Sequence, residues 1–480
     1  MLAEHIAGGL DSSATTWQDP LMLRPTPRFS FDTKLLVLDI VGLRPRDLGD
    51  APRLSQFAGE GRSGPLKTLL PALTCSVQAS FLTGLMPNEH GIVGNGWYFR
   101  DLAQILFWRQ NNGLIQGDKI YELARRAKPE HRCAKMFWWF NMYAEAAYSV
   151  TPRPQYFANG LKIPGLYSEP PELERQLQQE HGPFPLFHFW GPMAGIKSSR
   201  WITDASLSVL QQQRPDLMLV YLPHLDYEHQ RLGPEHERSR AAVGEVDAEA
   251  GRLIDAARAQ GMEVLVCSEY GIEPVEHALL LNRVLREQGF LRVQETAHGE
   301  LLDAGASRAF AVVDHQIAHV YVARERDLSP VRELLASLEG VASVHDREEQ
   351  RALFLDHPRS GELVVLAERG AWFAYPYWLD EGRRPDFATT VDIHRKPGYD
   401  PAELFIDARL RFPKLRVARR LLQKKLGMRY LMDVIGTDPT LVKGSHGLVP
   451  SDPELGPLYL SSPGLKLPSQ ISAPTLLFER

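Results

Sequence analysis

A chain of 480 residues, 44% hydrophobic, 9% aromatic and 24% charged, is long enough to bury a core without help from disulfides or a structural metal. Lys plus Arg number 54 against 59 Asp plus Glu, and the formal net charge of −5 argues against a dedicated nucleic-acid binder, which carries a basic stripe. Gly at 37 and Pro at 35 exclude collagen-like and disordered classes. The odd cysteine set, Cys75, Cys133 and Cys267, lies among apolar neighbours and reads as buried reduced thiols rather than a disulfide framework. The first thirty residues show no basic start followed by an apolar run, and no stretch reaches the ~20 apolar residues that span a bilayer. The expectation is a soluble cytoplasmic protein with neither a membrane nor a nucleic-acid polymer as partner.

In chain order, residues 1–30 read as an irregular N-terminal arm. The run KLLVLDIVG from Lys34 is too short for a helix and ends in a turn, which predicts a strand buried on both faces. Similar runs recur at 216–223, 262–269 and 362–368. Helical patterns lie near 51–59, 75–84, 198–214, 234–260 and 329–338. Alternating strands and helices predict an α/β fold with a mostly parallel central sheet and helices on both faces. The expected organisation is one α/β core over 31–370 with a long surface-loop insert at 151–195. A cap insert follows over 371–443, and 444–480 returns to the core. Within the cap, the basic run RLRFPKLRVARRLLQKK is read as a solvated helical face.

Acids stand where the core strands stop. Asp39 ends the first strand, Asp226 follows the strand at 216–223, and Glu269 ends the strand at 262–268. Ligands of parallel sheets bind outside the carboxyl ends of the strands, where three acids repel one another unless a cation lies between them. The ordinary alternative is that each acid caps a following helix. His224 and Asp226 are two apart and in extended chain share a side. His446, between Ser445 and Gly447, is a candidate imidazole ligand. Thr74 stands at the predicted start of the helix CSVQASFLTG, in the positive field of its N-terminus. That position suits a nucleophile for an anionic phosphoryl group; the plain alternative is an N-cap. Cys75 is a rival, but Val77 and Ala79 stand where a sulfatase shows Pro and Arg.

The strand ending in Asp39, the P-x-L-T segment with Thr74 and the T-G-x-x-P…H-G-I-x-G-N run through Asn95 resemble the type I phosphodiesterase/nucleotide pyrophosphatase branch of the alkaline phosphatase superfamily, to which phosphonoacetate hydrolase is related. The resemblance implies an alkaline-phosphatase-like fold and two divalent metal ions, Zn by family. It implies that Thr74 is a metal-bridging nucleophile and that Asn95 donates to a phosphate oxygen. It also implies Asp39 and Glu269 on one metal, and Asp226 and His446 on the other.

The family's S-D-H-G is S-E-Y-G here, placing Tyr270 at a metal-binding His. Its D-x-x-x-H becomes Asp226…Gln230, with His229 displaced by one residue. Fewer imidazoles make a harder site that suits Mg²⁺ or Mn²⁺. The clusters Asp314–His315–His319 and Asp392–His394–Lys396 are candidates to reach the site from inserts. His394 with Lys396 is preferred for binding an anionic substrate. Its organic half is expected against Trp97–Tyr98, Phe137–Phe140 and Trp372–Trp378. The resulting expectation is a metal-dependent hydrolase of phosphate esters, of the phosphodiester or nucleotide-pyrophosphate type, acting on a small phosphorylated molecule. Two alternatives stay open: a diverged, catalytically weak or silent member that binds a phosphorylated metabolite, and a phosphonate (C–P) hydrolase. Oligomeric state is not readable.

Overall fold

The computed structural model describes residues 25–158 and 162–479. Most of the expected N-terminal arm therefore lies outside the described residues; of its last part, Thr26–Pro27 pair antiparallel with Phe478–Glu479. The strands of the two main sheets are, in chain order, β1 (Leu35–Ile40), β2 (Arg62–Pro65), β3 (Cys133–Met136), β4 (Tyr148–Pro152), β5 (Leu166–Glu169), β6 (Leu217–Leu222), β7 (Glu263–Cys267), β8 (Ala309–Asp314), β9 (Ile317–Val322), β10 (Val341–His345), β11 (Leu363–Ala367) and β12 (Leu458–Ser461).

The central sheet has eight strands in the order β5-β4-β3-β6-β1-β7-β12-β2. Its middle, from β4 to β7, is parallel, and β5, β12 and β2 add antiparallel edges. β1 and β6 are buried at every position, as continuous aliphatic runs in a sheet covered on both faces must be. The register sets Asp39 opposite Tyr221 on one side and Cys267 on the other, so the carboxyl ends of β1, β6 and β7 form one edge.

Five helices matter to the site: α1 (Thr74–Thr83), α2 (Ile196–Gln213), α3 (His224–Leu232), α4 (Glu237–Ala259) and α5 (Pro413–Lys425). All ten residues of α1 are buried, which is why its sequence shows no polar face. It ends where Gly84 takes the left-handed conformation at φ 70°, a turn that a side chain disfavours.

Two expectations need correction. The run at 362–368 is a strand, but not of the parallel sheet. As β11 it lies in a separate four-stranded antiparallel sheet of order β8-β9-β11-β10 with its own apolar core. A buried strand of either kind reads as an apolar run, so the pattern alone did not separate them. The stretch 151–195 is not all loop; it carries the helix Pro171–His181 and strand β5.

The second sheet matters because its β8–β9 turn, at His315 and Gln316, reaches the loop that carries His446: the Gln316 N–H donates to the His446 carbonyl at 3.0 Å. The loop carrying His446 is pinned on its other side by the pairing of Gly444–Ser445 with Glu273–Pro274. A Cβ at Gly444 would lie 2.2 Å from the His229 carbonyl oxygen at the α3 side of that loop. Gly444→Ala is therefore expected to destabilise the chain by about 1–3 kcal/mol in urea unfolding, as overpacking does in a closed interior.

Candidate active site

The strand-end acids come together as expected, and the packing around them decides their state. Asp39 and Glu269 are fully buried side by side, and the Gln78 amide donates to both, at 3.1 Å to Asp39 Oδ2 and 2.7 Å to Glu269 Oε1. Their other oxygens, Asp39 Oδ1 and Glu269 Oε2, are buried without a hydrogen-bond partner among the described residues. Burial pushes Asp39 up to about 7, and burial together with Asp39 drives Glu269 well above the carboxylate range. Gln78 lies one helical turn after Thr74 on α1, a spacing that places both side chains on one face. That spacing was the available signal for Gln78, which the motif reading passed over.

Thr74 opens α1, and its hydroxyl lies 3.0 Å from the Tyr270 phenol and against the Glu269 carboxylate. Asn95 Oδ1 accepts from the Cys75 N–H at 3.0 Å, which satisfies one N–H at the start of α1 and fixes Asn95 beside Thr74. The Asn95 side chain also donates to Asp314 Oδ1 at 3.2 Å, and its backbone N–H donates to Asp314 Oδ2 at 2.9 Å. One amide hydrogen thus remains for a ligand, and Asn95 lines the cavity described below. Cys75 is buried and lies outside that cavity, and burial pushes its thiol well above the usual range, which disfavours the thiolate.

The Asp226 half is built differently. Asp226 Oδ2 accepts from Gln230 at 2.6 Å, and Oδ1 accepts from the Tyr270 phenol at 3.4 Å. Gln230 in turn accepts from the Tyr399 hydroxyl at 2.7 Å. Burial first, then Glu269, raises Asp226 to about 8. His446 Nδ1 pairs with the Ala72 carbonyl at 2.7 Å, while its Nε2 stays 4.0 Å from Asp226. The rings form a column: Tyr270 on His446 at 3.5 Å, His446 on His315 at 3.7 Å, and His315 on Tyr399 at 3.8 Å. Burial lowers both imidazoles well below their ordinary range, so both are neutral near pH 7.

Other expectations fare unevenly. His224 does not share a side with Asp226: the segment is helix, not extended chain, and two residues on a helix face nearly opposite ways. His224 meets Ser199 on α2 at 3.0 Å instead. His229 faces Gly42, with both ring nitrogens lacking hydrogen-bond partners among the described residues. Lys396 does not line the cavity; it is buried against Asp400 at 2.6 Å and Glu403 at 2.8 Å, which consume its charge. His394 does line it. From the other cluster, Asp314 and His315 join the site, while His319 turns to the Val93 carbonyl at 2.9 Å. Of the aromatic stretches proposed for the organic half, only Trp139 reaches the cavity.

Among the described residues no three His, Cys, Asp or Glu side chains converge as a metal cage. At the Asp226 half each carboxylate oxygen already accepts one protein hydrogen bond, so a second ion there would have to share or displace the Gln230 and Tyr270 donors. The Asp39–Glu269 pair does fit one hard cation: two buried carboxylates carry free oxygens beside the Thr74 hydroxyl. Over these groups opens a cavity of about 590 Å³, reached by Thr74, Asn95, Asp226, Tyr270, His315 and His446.

Comparisons with known proteins agree with this architecture. An uncharacterized pyrophosphatase/phosphodiesterase of Schizosaccharomyces pombe is 23% identical over 300 residues, covering 60% of this chain and 53% of that protein. The chain thus spans about half the length of that relative. The structure of phosphonoacetate hydrolase from Sinorhizobium meliloti with phosphonoformate matches with a TM-score of 0.58 at 15% identity, over 94% of each chain. Murine ectonucleotide pyrophosphatase/phosphodiesterase 5, in an inactive form with AMP, matches at 0.56 and 13% identity over 93% of each chain. At these identities the two structures show a shared alkaline-phosphatase-like fold. The family model for type I phosphodiesterase/nucleotide pyrophosphatase matches residues 35–400, and the chain belongs to that family.

Proposed function

We propose that the protein hydrolyses phosphate esters with Thr74 as nucleophile and one divalent cation on Asp39 and Glu269. The observation that carries this reading is the Thr74 hydroxyl, set at a helix N-terminus on the cavity and flanked by Glu269 and Tyr270. Thr74 Oγ1 attacks phosphorus and gives its proton to the Glu269 carboxylate, and the P–O bond to the leaving alkoxide breaks. The alkoxide takes a proton from solvent; water then attacks the phosphothreonine and loses a proton to solvent, while the proton held on Glu269 returns to Thr74 Oγ1 as the P–O bond to it breaks. The N–H groups of α1 face the developing negative charge, and the remaining Asn95 amide hydrogen orients a phosphoryl oxygen. A bound cation would supply Lewis-acid charge at Thr74; the all-oxygen donors favour Mg²⁺ or Mn²⁺ over Zn²⁺. Family membership and the AMP-bound neighbour, whose inactive form carries alanine in place of a threonine, support the reading.

Gln230 and Tyr270 favour a second reading, a member that binds a phosphorylated compound without turnover, because they stand at the sequence positions where the family resemblance implies metal-binding imidazoles. The phosphonoacetate hydrolase neighbour keeps C–P cleavage as a third. Assays with an aryl phosphodiester, an aryl phosphomonoester and phosphonoacetate, each with Mg²⁺, Mn²⁺ and Zn²⁺, separate the three.

Thr74→Ala is expected to lower phosphodiester turnover by about three orders of magnitude or more, with its melting temperature nearly unchanged. Near-normal turnover would remove the proposed nucleophile. Elemental analysis should find about one divalent ion per chain, and the double variant Gln230→His/Tyr270→His should approach two. Because Asp39 and the still more strongly raised Glu269 must lose their protons to hold a cation, Mn²⁺ affinity should rise with pH through about 7 and above, as calorimetric titration would show. The metal-free chain should behave oppositely. Asp39 and Asp226 are raised in the fold to about 7 and about 8, so their protonated forms stabilise it. Its melting temperature should fall as pH rises from 6 to 9, and added Mn²⁺ should flatten that fall.

A further inference from the structure

The cavity over Thr74 has two features that phosphoryl chemistry does not require. Its walls are overwhelmingly apolar, and Lys424 is the one Lys or Arg among the described residues that line it. A nucleotide pyrophosphate would bring several negative charges into a space with almost no fixed countercharge. The wall continues outward as apolar surface: Phe187, Met193, Ile406 and Leu421 line the cavity and are themselves exposed.

The second feature is helix α5 at the mouth. Val417, Leu421 and Lys424 on one side of it line the cavity. The opposite stripe is Leu415, Leu422 and Leu426, at 68%, 56% and 65% exposure, with Phe412 just before the helix at 61%. The helix is solvated as expected, with none of its residues buried, but leucines of this size are seldom left in water as a row. The helix carries Lys414, Arg416, Arg419, Arg420, Lys424 and Lys425 and no acid. Asp433 pairs with Arg416 and Arg420, whereas the other four have no ion pair among the described residues. On a chain of net charge −5, this is a local positive face around an apolar stripe. That combination fits the headgroup region of an anionic bilayer, where leucines enter the acyl boundary and cations meet phosphates.

We propose that α5 docks the protein on an anionic membrane surface and that the cavity receives the hydrocarbon chain of an amphiphilic phosphate ester, its phosphate at Thr74. The proposal rests on the phosphate-ester reading and names its substrate class. A bilayer is favoured over a second copy of the chain because like-charged helices would face each other in a self-interface. No helix of the described residues is long and apolar enough to cross a membrane, so the contact is interfacial.

The test uses the full chain with vesicles of phosphatidylcholine, with and without phosphatidylglycerol, and a series of p-nitrophenyl alkyl phosphodiesters with butyl, octyl and dodecyl chains below their aggregation limits. Binding should require phosphatidylglycerol, be lost in Leu415→Asp/Leu422→Asp, and weaken about thirtyfold in Lys414→Gln/Lys425→Gln. The wild-type kcat/KM should rise with chain length, by at most about fourfold per methylene. No vesicle binding, equal binding by the variants, or a flat chain-length series overturns the proposal. So does a dimer in sedimentation velocity that the aspartate variants dissociate, because the stripe is then a self-interface. Hydrolysis of the butyl ester without vesicle binding defeats this inference and leaves the phosphate-ester reading intact. Vesicle binding without hydrolysis of any ester defeats the phosphate-ester reading and the substrate class while supporting the docking face.

Discussion

Two carboxylates buried against each other cannot both stay ionised without a positive partner, and that constraint organises the site. Asp39 and Glu269 arrive from the ends of adjacent parallel strands, and neither has room to turn toward solvent. The Gln78 amide satisfies the oxygens on one side of the pair and leaves one oxygen of each exposed to the other. A proton or a cation must complete the pair, and which one does depends on pH and on the cation supply. Thr74 stands beside that undecided charge, so the reactivity of its hydroxyl is tied to it.

The neighbouring half resolves the same problem with neutral groups. Asp226 is met by an amide and a phenol, and the imidazoles of His446 and His315 are held flat in an aromatic column. Tyr270 serves both halves, touching Thr74 and Asp226 while stacking on His446. The phenol and the amide at this half therefore do more than satisfy one carboxylate. They form a polar wall of neutral donors that reaches almost to Thr74.

The parallel core was legible in the sequence because buried strands are continuous aliphatic runs bounded by turns, and the acids at their ends were legible for the same reason. The motif around Thr74 and Asn95 was legible because its spacing is local. The second sheet was not, since an apolar run does not say which strands it will pair with, and β11 joined β9 and β10 instead of β7. His224 was misplaced because a two-residue spacing means opposite things in strand and helix. Lys396 was misplaced because Asp400 and Glu403, only four and seven residues further on, take up its charge locally and keep it off the cavity wall.

By itself the sequence determined an α/β chain with acids at strand ends, a threonine opening a buried helix, and the family to which those motifs belong. These are properties of short segments, governed by periodicity and by local backbone geometry. Only the tertiary structure decided which oxygens of the acids stay unpaired, because that depends on which donors, Gln78, Gln230 and Tyr270, reach them across the fold. It also decided the meaning of the basic run at 413–425. In the sequence that run is a charged helix like many others. In the fold its leucines are left uncovered at the mouth of an apolar cavity, because the side of the helix facing that cavity is Val417, Leu421 and Lys424.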